Sequence, residues 1–432
     1  MNKHAEMVTG KIKGLYEKGA LSIIIGNFTT SFLTFFGSII FVRVMSKTDF
    51  GILSYIENLY GFVYIFIGLG LKNAVLRYIV LADNLSDKYN RYSYIMKAGT
   101  VSNVVVVIAA VIINYFYPHP LEYGNVGLLI GVYILVLFPQ YIVECNIVNF
   151  RAFFNNRVFA IFSIILSCGI IFSKVIGYIS FSLIGIIFGM LIMYFVLAIY
   201  TTYFSKKNYF HGLIVSRIDK SLERDINKYS IQFMITNGVW ALFMLIDVYL
   251  IGVLMKDISA VADYKVAHVF PGALTILSST IGVFISPYFV KNEGNRGWIR
   301  HNYKLLFIFT SVCIGAVVIV CIFISKYLIL FVYGEAYLNV LKLMRILFVA
   351  AFFNAGVRYT TANVLAAVGL VKTNMIVSII GIALEVAGDF VLIPQYGLLG
   401  VAISNIIVYS CMSIMLIIYF YKQYGKTNVN VE

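Results

Sequence analysis

Acidic side chains interrupt several of the long apolar stretches in this sequence. The five clearest cases are Glu57, Glu144, Asp247, Glu385 and Asp389. A carboxylate inside a membrane is costly unless it has a partner or faces water, so each is a candidate carrier of a coupling proton or sodium ion. Glu385 and Asp389 are one helical turn apart and share their face with no basic residue, so we predict a shared proton there. The alternative is structural pairing, for example of Glu144 with Arg151 two turns away.

Basic side chains occupy comparable positions. Six of them are candidates for binding an anionic substrate: Arg358, Lys265, His268, Arg43, Arg345 and Arg151. An arginine guanidinium matches phosphate oxygens with two parallel hydrogen bonds, so a basic lining across the membrane favours an anionic cargo. The alternative is that Arg43, Lys265 and Arg345 extend their charges to the outer interface. For Arg151, the alternative to a binding role is that it only ends its helix on the cytoplasmic side, where positive charge is enriched. For His268, the alternative is that it only makes a hydrogen bond in the core.

Long apolar helices must position these charged side chains, and the composition of the chain indicates that it has such helices. The chain has 432 residues, of which 61% are hydrophobic and 12% charged, with a mean hydropathy of +0.91. Soluble proteins carry about 45–50% apolar and about 25% charged residues, so a soluble globular enzyme, a disordered chain and a collagen-like chain are excluded. The continuous apolar run Val104–Ile113 excludes the alternating strands of a β-barrel. The predicted fold class is an all-α polytopic membrane protein.

Twelve membrane-spanning helices are predicted, since each span needs about 20 mostly apolar residues. Their bounds are 20–44, 51–71, 95–117, 124–149, 158–179, 182–204, 229–254, 262–289, 303–324, 338–366, 374–393 and 397–421. The longest loop, 205–228, is too short to hold a catalytic domain. We therefore predict an N-terminal lobe at 1–207 with spans 1–6, a cytoplasmic linker at 208–228, and a C-terminal lobe at 229–432 with spans 7–12 and a short cytoplasmic tail.

The two predicted lobes resemble each other, which indicates an internal repeat. Leu183–Ile186 recurs with conservative changes as Leu398–Val401, and the same offset pairs Tyr194 with Tyr409. Each lobe has six spans, so the repeat is parallel, about an axis along the membrane normal. Two such bundles with a cleft between them are typical of alternating-access transporters. The alternative is chance matching among the abundant Leu, Ile and Gly residues.

The distribution of charge predicts the orientation. Most of the 33 Lys and Arg residues, including Lys72 and Arg77 after the second span, fall on the same side as the N-terminus. Cytoplasmic loops carry the excess of positive charge, so both termini are expected in the cytoplasm, and the formal charge of +14 does not call for nucleic acid. The polar segment Met1–Gly19 before the long apolar stretch Ala20–Met45 favours a retained first span over a cleaved signal peptide.

No catalytic residue set, metal site or cofactor is predicted, apart from the coupling proton or sodium ion. The cysteines lie in apolar runs without a C-x-x-C pair, so we interpret them as small hydrophobic residues. They are Cys145, Cys168, Cys313, Cys321 and Cys411.

Short motifs occur in order along almost the whole chain. They are Met45–Gly51, Gly68–Leu71, Ser286–Pro287, Tyr333–Tyr337, Leu341–Leu347, Gly369–Lys372 and Leu392–Gly400. In this order and spacing they resemble the Wzx-type polysaccharide-biosynthesis flippases of the multidrug/oligosaccharidyl-lipid/polysaccharide exporter (MOP) superfamily. The sequence departs from the lipid II flippases of that superfamily, which usually have fourteen spans and an Arg-Asp pair in the first.

The resemblance implies two six-helix lobes in a V shape. It also implies transport of a polyprenyl-diphosphate-linked oligosaccharide from the inner to the outer leaflet, for O-antigen, capsule or a related surface polysaccharide. A cationic cavity would hold the diphosphate. In proton or sodium antiport, the buried acids would carry the coupling ion. The expected location is a bacterial or archaeal cytoplasmic membrane. The expected partners are the lipid-linked oligosaccharide, membrane lipids, and the polysaccharide polymerase and chain-length machinery, with the chain itself a monomer.

Two other functions stay open at this point. One is a multidrug or toxin antiporter of the same superfamily, which would need an acidic or aromatic cavity for cationic drugs, so the basic lining counts against it. The other is a membrane polysaccharide polymerase, which would need a long external loop with catalytic residues. The predicted external loops are short, so an enzyme is not expected.

Overall fold

The computed structural model describes residues 20–119 and 126–425. Within these ranges the chain is helical and contains no β-strand, which confirms the predicted fold class. The helices are α1 Ala20–Val44, α2 Lys47–Tyr64, α3 Leu71–Val80, α4 Leu85–Phe116, α5 Val126–Ile134, α6 Leu137–Ala152, α7 Asn156–Tyr209, α8 Lys220–Met255, α9 Ile258–Lys291, α10 Arg296–Val332, α11 Leu341–Ala351, α12 Tyr359–Ala367, α13 Val371–Tyr396 and α14 Leu398–Tyr424. Two 3₁₀ turns, Ile67–Gly70 and Glu335–Val340, and a π-helix, Phe352–Arg358, join some of them.

Most of these helices have the length and hydropathy of membrane spans. Eight described stretches meet both criteria, and the total is nine if the bent pair α2 and α3 is counted as one span. Each predicted span coincides with a described helix or with consecutive helices. Helix α7 carries two spans, because its helical geometry is interrupted at Phe181 and Ser182, where the predicted fifth span gives way to the sixth. The predicted cytoplasmic location of the termini concerns residues 1–19 and 426–432, which lie outside the described ranges.

The chain forms two compact units. The N-terminal unit contains the residues up to Val44 together with Leu59–Gly238, and the C-terminal unit contains Met45–Asn58 together with the chain from Val239 onward. The N-terminal unit thus runs through the predicted linker, in which α7 ends and α8 begins. The first part of α2 belongs to the C-terminal unit.

Each unit has its own apolar core. In the N-terminal unit, Phe150 is fully buried and packs against Phe162 and Phe204, with ring centroids 4.9 and 5.3 Å away. In the C-terminal unit, the rings of Tyr303 and Phe420 are 3.8 Å apart between centroids. Lipid tails are as apolar as these side chains, so the hydrophobic effect does not drive membrane helices together. Close packing of this kind stabilises their association instead.

The second predicted span is bent. Helix α2 ends at Tyr64, α3 begins at Leu71, and the two are inclined by 45°. Gly68, Leu69 and Gly70 have φ values of 51°, 47° and 77°, in the left-handed region that favours glycine. The span predicted over 51–71 therefore contains a break, and Lys72, which was expected in a cytoplasmic segment, lies in the first turn of α3.

Candidate functional site

Three acidic side chains of the C-terminal unit meet at one point. Glu385 and Asp389 lie on the same face of α13, and Asp247 comes from α8. One ligand oxygen from each carboxylate lies within 4.8 Å of the other two. Glu385 and Asp389 are completely buried, whereas Asp247 is partly accessible. We call these three residues the acidic cluster.

The hydrogen bonds of the acidic cluster are incomplete. Asp247 accepts hydrogen bonds from the Tyr264 hydroxyl and, over 2.9 Å, from the Asn405 side-chain amide. The four carboxylate oxygens of Glu385 and Asp389 have no hydrogen-bond partner among the described residues, and neither has the buried Ser404 hydroxyl. Three carboxylates this close cannot all be ionised without a counter-charge. The cluster can therefore hold shared protons or a hard cation, which oxygen ligands suit.

Arg358 is a buried cation in the same unit. It lies at the end of the π-helix Phe352–Arg358, a rare widened turn that is common at functional sites. Only 6% of the residue is exposed, its Nε donates to Asn354 Oδ1 over 2.8 Å, and its guanidinium lies 4.2 Å from the ring centroid of Trp240. Among the described residues no carboxylate forms an ion pair with it. A buried guanidinium held by an amide and an aromatic ring retains donors for an anion.

A small cavity connects the surroundings of the two charged sites. It has a volume of about 120 Å³, and its lining includes His268, Asn354, Asn405 and Tyr409. Asn354 is the hydrogen-bond acceptor of Arg358, and Asn405 is a donor to Asp247. A hydrogen-bond partner of each charged site thus lines one cavity, whose lining is otherwise mostly apolar. The cavity is too small for a drug-sized ligand, since such pockets span about 300–1,000 Å³, but large enough for several waters.

Two further basic candidates lie near this cavity. His268 lines it and stacks on Tyr264, with ring centroids 5.8 Å apart. Lys265, half-buried on α9, interacts electrostatically with Asp247. Sequence reasoning missed Asn405 and Tyr264, because helical periodicity shows which residues share a face but not which helix that face meets.

The other basic candidates are exposed and are held in different ways. Arg345 donates from Nε to Ser325 Oγ over 3.0 Å, and the Arg151 guanidinium lies 5.7 Å from the ring centroid of Phe159. Arg43, near the end of α1, is also exposed. Among the acids, Glu57 is half-buried on α2. None of these four belongs to the groups around Arg358 and the acidic cluster described above.

Glu144 lies in the N-terminal unit and forms an ion pair with Lys72, whose Nζ is 2.5 Å from its Oε2. The suggested pairing of Glu144 with Arg151 is therefore wrong. Lys72 follows the bend between α2 and α3 and reaches Glu144 on α6. The signal available in the sequence was the segment Gly68–Leu71, whose glycines permit such a bend.

Comparison with known proteins identifies related sequences and folds. A family model described as polysaccharide biosynthesis protein matches residues 17–293, more than half of the chain. An uncharacterised membrane protein of Methanocaldococcus jannaschii, MJ1068, is 22% identical over 427 residues, covering 91% of this chain and 82% of that protein.

Solved transporter structures share the fold. An inward-facing multidrug resistance MATE family transporter of the MOP superfamily has a TM-score of 0.74 at 14% identity, covering 92% of this chain and 94% of that one. The lipid II flippase MurJ, in an inward closed conformation, has a TM-score of 0.70 at 15% identity, covering 94% and 87%. These similarities show that the chain shares the fold of these transporters, and the family model agrees with the resemblance to polysaccharide-biosynthesis proteins.

Proposed function

The chain belongs to the polysaccharide biosynthesis protein family, and from this premise we propose that it is a flippase for a lipid-linked saccharide. The substrate is a polyprenyl-diphosphate-linked oligosaccharide repeat unit, which moves from the inner to the outer leaflet for surface polysaccharide assembly. Movement is coupled to protons or sodium ions by alternating access. The protein acts as a monomer in the cytoplasmic membrane of a bacterium or archaeon, with both termini in the cytoplasm, and delivers its substrate to the polymerase and chain-length machinery.

Arg358 is the observation that carries this proposal. A guanidinium that is 94% buried is costly to maintain without an anion, and here an amide oxygen and aromatic faces hold it in place. A diphosphate offers the paired oxygens that a guanidinium binds in two parallel hydrogen bonds. We assign Arg358 to the diphosphate, with Lys265 and His268 as nearby polar partners and Arg43, Arg345 and Arg151 as further candidates along the path.

The acidic cluster is the proposed site of the coupling ion. Glu385 and Asp389 have no hydrogen-bond donor in the part of the chain that the structure describes, so a proton or a sodium ion would stabilise them directly. Asp247 adds a third oxygen ligand and is oriented by Asn405 and Tyr264. Glu144 and Glu57 remain candidates outside the cluster.

A multidrug antiporter is the second candidate function. The fold shared with a MATE family transporter and the buried acidic cluster both favour it. Arg358 opposes it, because a cationic drug would be repelled by a buried guanidinium that forms no ion pair with any described carboxylate.

Deletion of the gene in the native host separates these functions. The lipid-linked repeat units are extracted from the deletion strain and probed with a membrane-impermeant glycosidase in intact spheroplasts. The flippase account predicts protected units on the inner leaflet and loss of surface polysaccharide. Single units exposed on the outer leaflet would point to failed polymerisation, and unchanged polysaccharide with new drug sensitivity would support the antiporter; either result would contradict the flippase.

A further inference from the structure

The ion pair between Lys72 and Glu144 contains more donors than a pair needs. The Glu144 carboxylate receives the Lys72 ammonium at 2.5 Å, the Tyr64 hydroxyl at 2.9 and 3.0 Å, and the Gln140 side-chain amide at 2.8 Å. Gln140 is itself held by the Tyr60 hydroxyl. An ammonium, a phenol and an amide that converge on one pair of oxygens form a complete anion receptor. The protein fills this receptor with its own glutamate.

The Lys72–Glu144 ion pair is not completely buried. The Lys72 and Glu144 side chains retain 18% and 17% of their surface. An ion pair that only stabilised the fold would not need to be exposed. Replacing a buried ion pair with packed apolar residues is often neutral or stabilising. The partial opening therefore favours a role in which another anion reaches Lys72.

Glu144 also joins the two arms of the bent span. Tyr64 is the last residue of α2, and Lys72 is in the first turn of α3, so one carboxylate bonds to both sides of the break. Between them Leu69, which is not a glycine, has a φ of 47°. Such a conformation costs on the order of 1–3 kcal/mol and persists only where neighbouring contacts enforce it. Removal of Glu144 from its donors would remove one of those contacts.

We propose that Lys72, Tyr64 and Gln140 form a second anion-binding site, in the N-terminal unit, at which a phosphate group of the substrate replaces the carboxylate of Glu144. This proposal rests on the proposed transport of a diphosphate-linked substrate. Exchange of the two anions moves the Glu144 carboxylate away from Lys72, toward the exposed part of its own side chain. The substrate then takes over the contacts that Glu144 makes to both arms of the bent span, while the direct hydrogen bond from Lys72 Nζ to the Tyr64 hydroxyl, 2.6 Å long, remains. The bend thereby becomes sensitive to whether substrate is bound.

Inorganic pyrophosphate is a suitable probe, because it presents the diphosphate without the lipid or the sugars. Its affinity for the purified full-length protein in detergent is measured by calorimetry in the wild type and in the Arg358→Gln background, which removes the first site. Glu144→Gln keeps the shape of the side chain and removes the competing charge, so the affinity should rise by about tenfold. Lys72→Gln should lower it by a similar factor, and the double variant should show no rise. Asp263→Asn, at the separate ion pair between Lys47 and Asp263, should leave it unchanged.

A second measurement needs no substitution. Amine-reactive labelling of the wild type, quantified by mass spectrometry, should show that pyrophosphate protects Lys72 at least threefold and leaves Lys47, in the comparable pair with Asp263, unaffected. The proposal is overturned if Glu144→Gln folds and binds pyrophosphate no better than its parent, if the gain survives in the double variant, or if Lys72 and Lys47 are protected equally.

The outcomes also separate this site from the proposed function. Pyrophosphate binding that depends on Arg358 but not on Lys72 would remove the second site and leave the flippase account intact. The converse result is pyrophosphate binding at Lys72 together with single repeat units exposed on the outer leaflet of the deletion strain. It would support the second anion-binding site and contradict the flippase function.

Discussion

Glu385 and Asp389 lie one turn apart on α13, and both carboxylates are completely buried without a hydrogen-bond partner among the described residues. Asp247 brings a third carboxylate oxygen to within 4.8 Å of theirs. Protein interiors rarely leave charged oxygens in this state, because the desolvation of an unpaired carboxylate costs several kcal/mol. We therefore expect a proton or a cation to occupy the cluster.

Asp389→Asn should remove the dependence of transport on the ion gradient. The amide cannot exchange a proton and is a poorer cation ligand, so the rate should no longer respond to an imposed proton or sodium gradient. Translocation in proteoliposomes is measured with and without each gradient. Asp83→Asn, at an exposed acid outside the cluster, is the control and should respond like the wild type. Full gradient dependence in Asp389→Asn would move the coupling site elsewhere.

Glu385→Gln should not destabilise the protein, although the residue is completely buried. The substitution replaces a carboxyl group that has no hydrogen-bond donor among the described residues, so the thermal midpoint in detergent at low sodium should stay within about 2 °C of the wild type or rise. Added sodium should raise the midpoint of the wild type more than that of the variant, since a bound ion stabilises the folded state. A large fall in the midpoint would show that Glu385 has a structural partner instead.

Asn405→Leu should weaken cation binding and leave the anion site intact. The side-chain amide donates to Asp247 over 2.9 Å, and its loss leaves that carboxylate with one described donor fewer. The half-saturating cation concentration for transport should rise by about tenfold. The affinity for pyrophosphate at saturating cation should change less than threefold. An unchanged cation requirement would remove Asn405 from the coupling site.

Gly68→Ala should destabilise the N-terminal unit. An added Cβ would lie 2.2 Å from Tyr141 Cε2, and the φ of 51° strains any other residue. The combined overlap and strain should cost about 2–4 kcal/mol in the free energy of unfolding, measured by thermal or chemical denaturation. Gly294→Ala is the matched control, because an added Cβ there meets nothing within 4 Å. Equal stability of the two variants would mean that the bend readily rearranges.

The sequence predicted the helices well and their junctions less well. Long apolar runs determine where spans occur, so every predicted span coincides with helical structure. The bend at Gly68–Gly70 and the π-helix at Phe352–Arg358 leave the hydropathy pattern unchanged, so no hydropathy argument could show them.

The candidate site was predictable only in part. Helical phase placed Glu385 and Asp389 on one face correctly, because both belong to one helix. The approach of Asp247 from α8, and the pairing of Glu144 with Lys72 instead of Arg151, depend on packing between helices that are distant in sequence.

The most direct test of the central claim is translocation by the purified protein. Lipid-linked repeat units extracted from the deletion strain are incorporated into proteoliposomes, and a glycosidase outside the vesicles reports how many units become accessible. Wild-type protein should raise the accessible fraction well above that of empty vesicles. Arg358→Gln should reduce the rate at least tenfold, whereas Arg224→Gln, at an exposed site on α8, should not. Wild-type vesicles indistinguishable from empty ones, or Arg358→Gln as active as the wild type, would contradict the account.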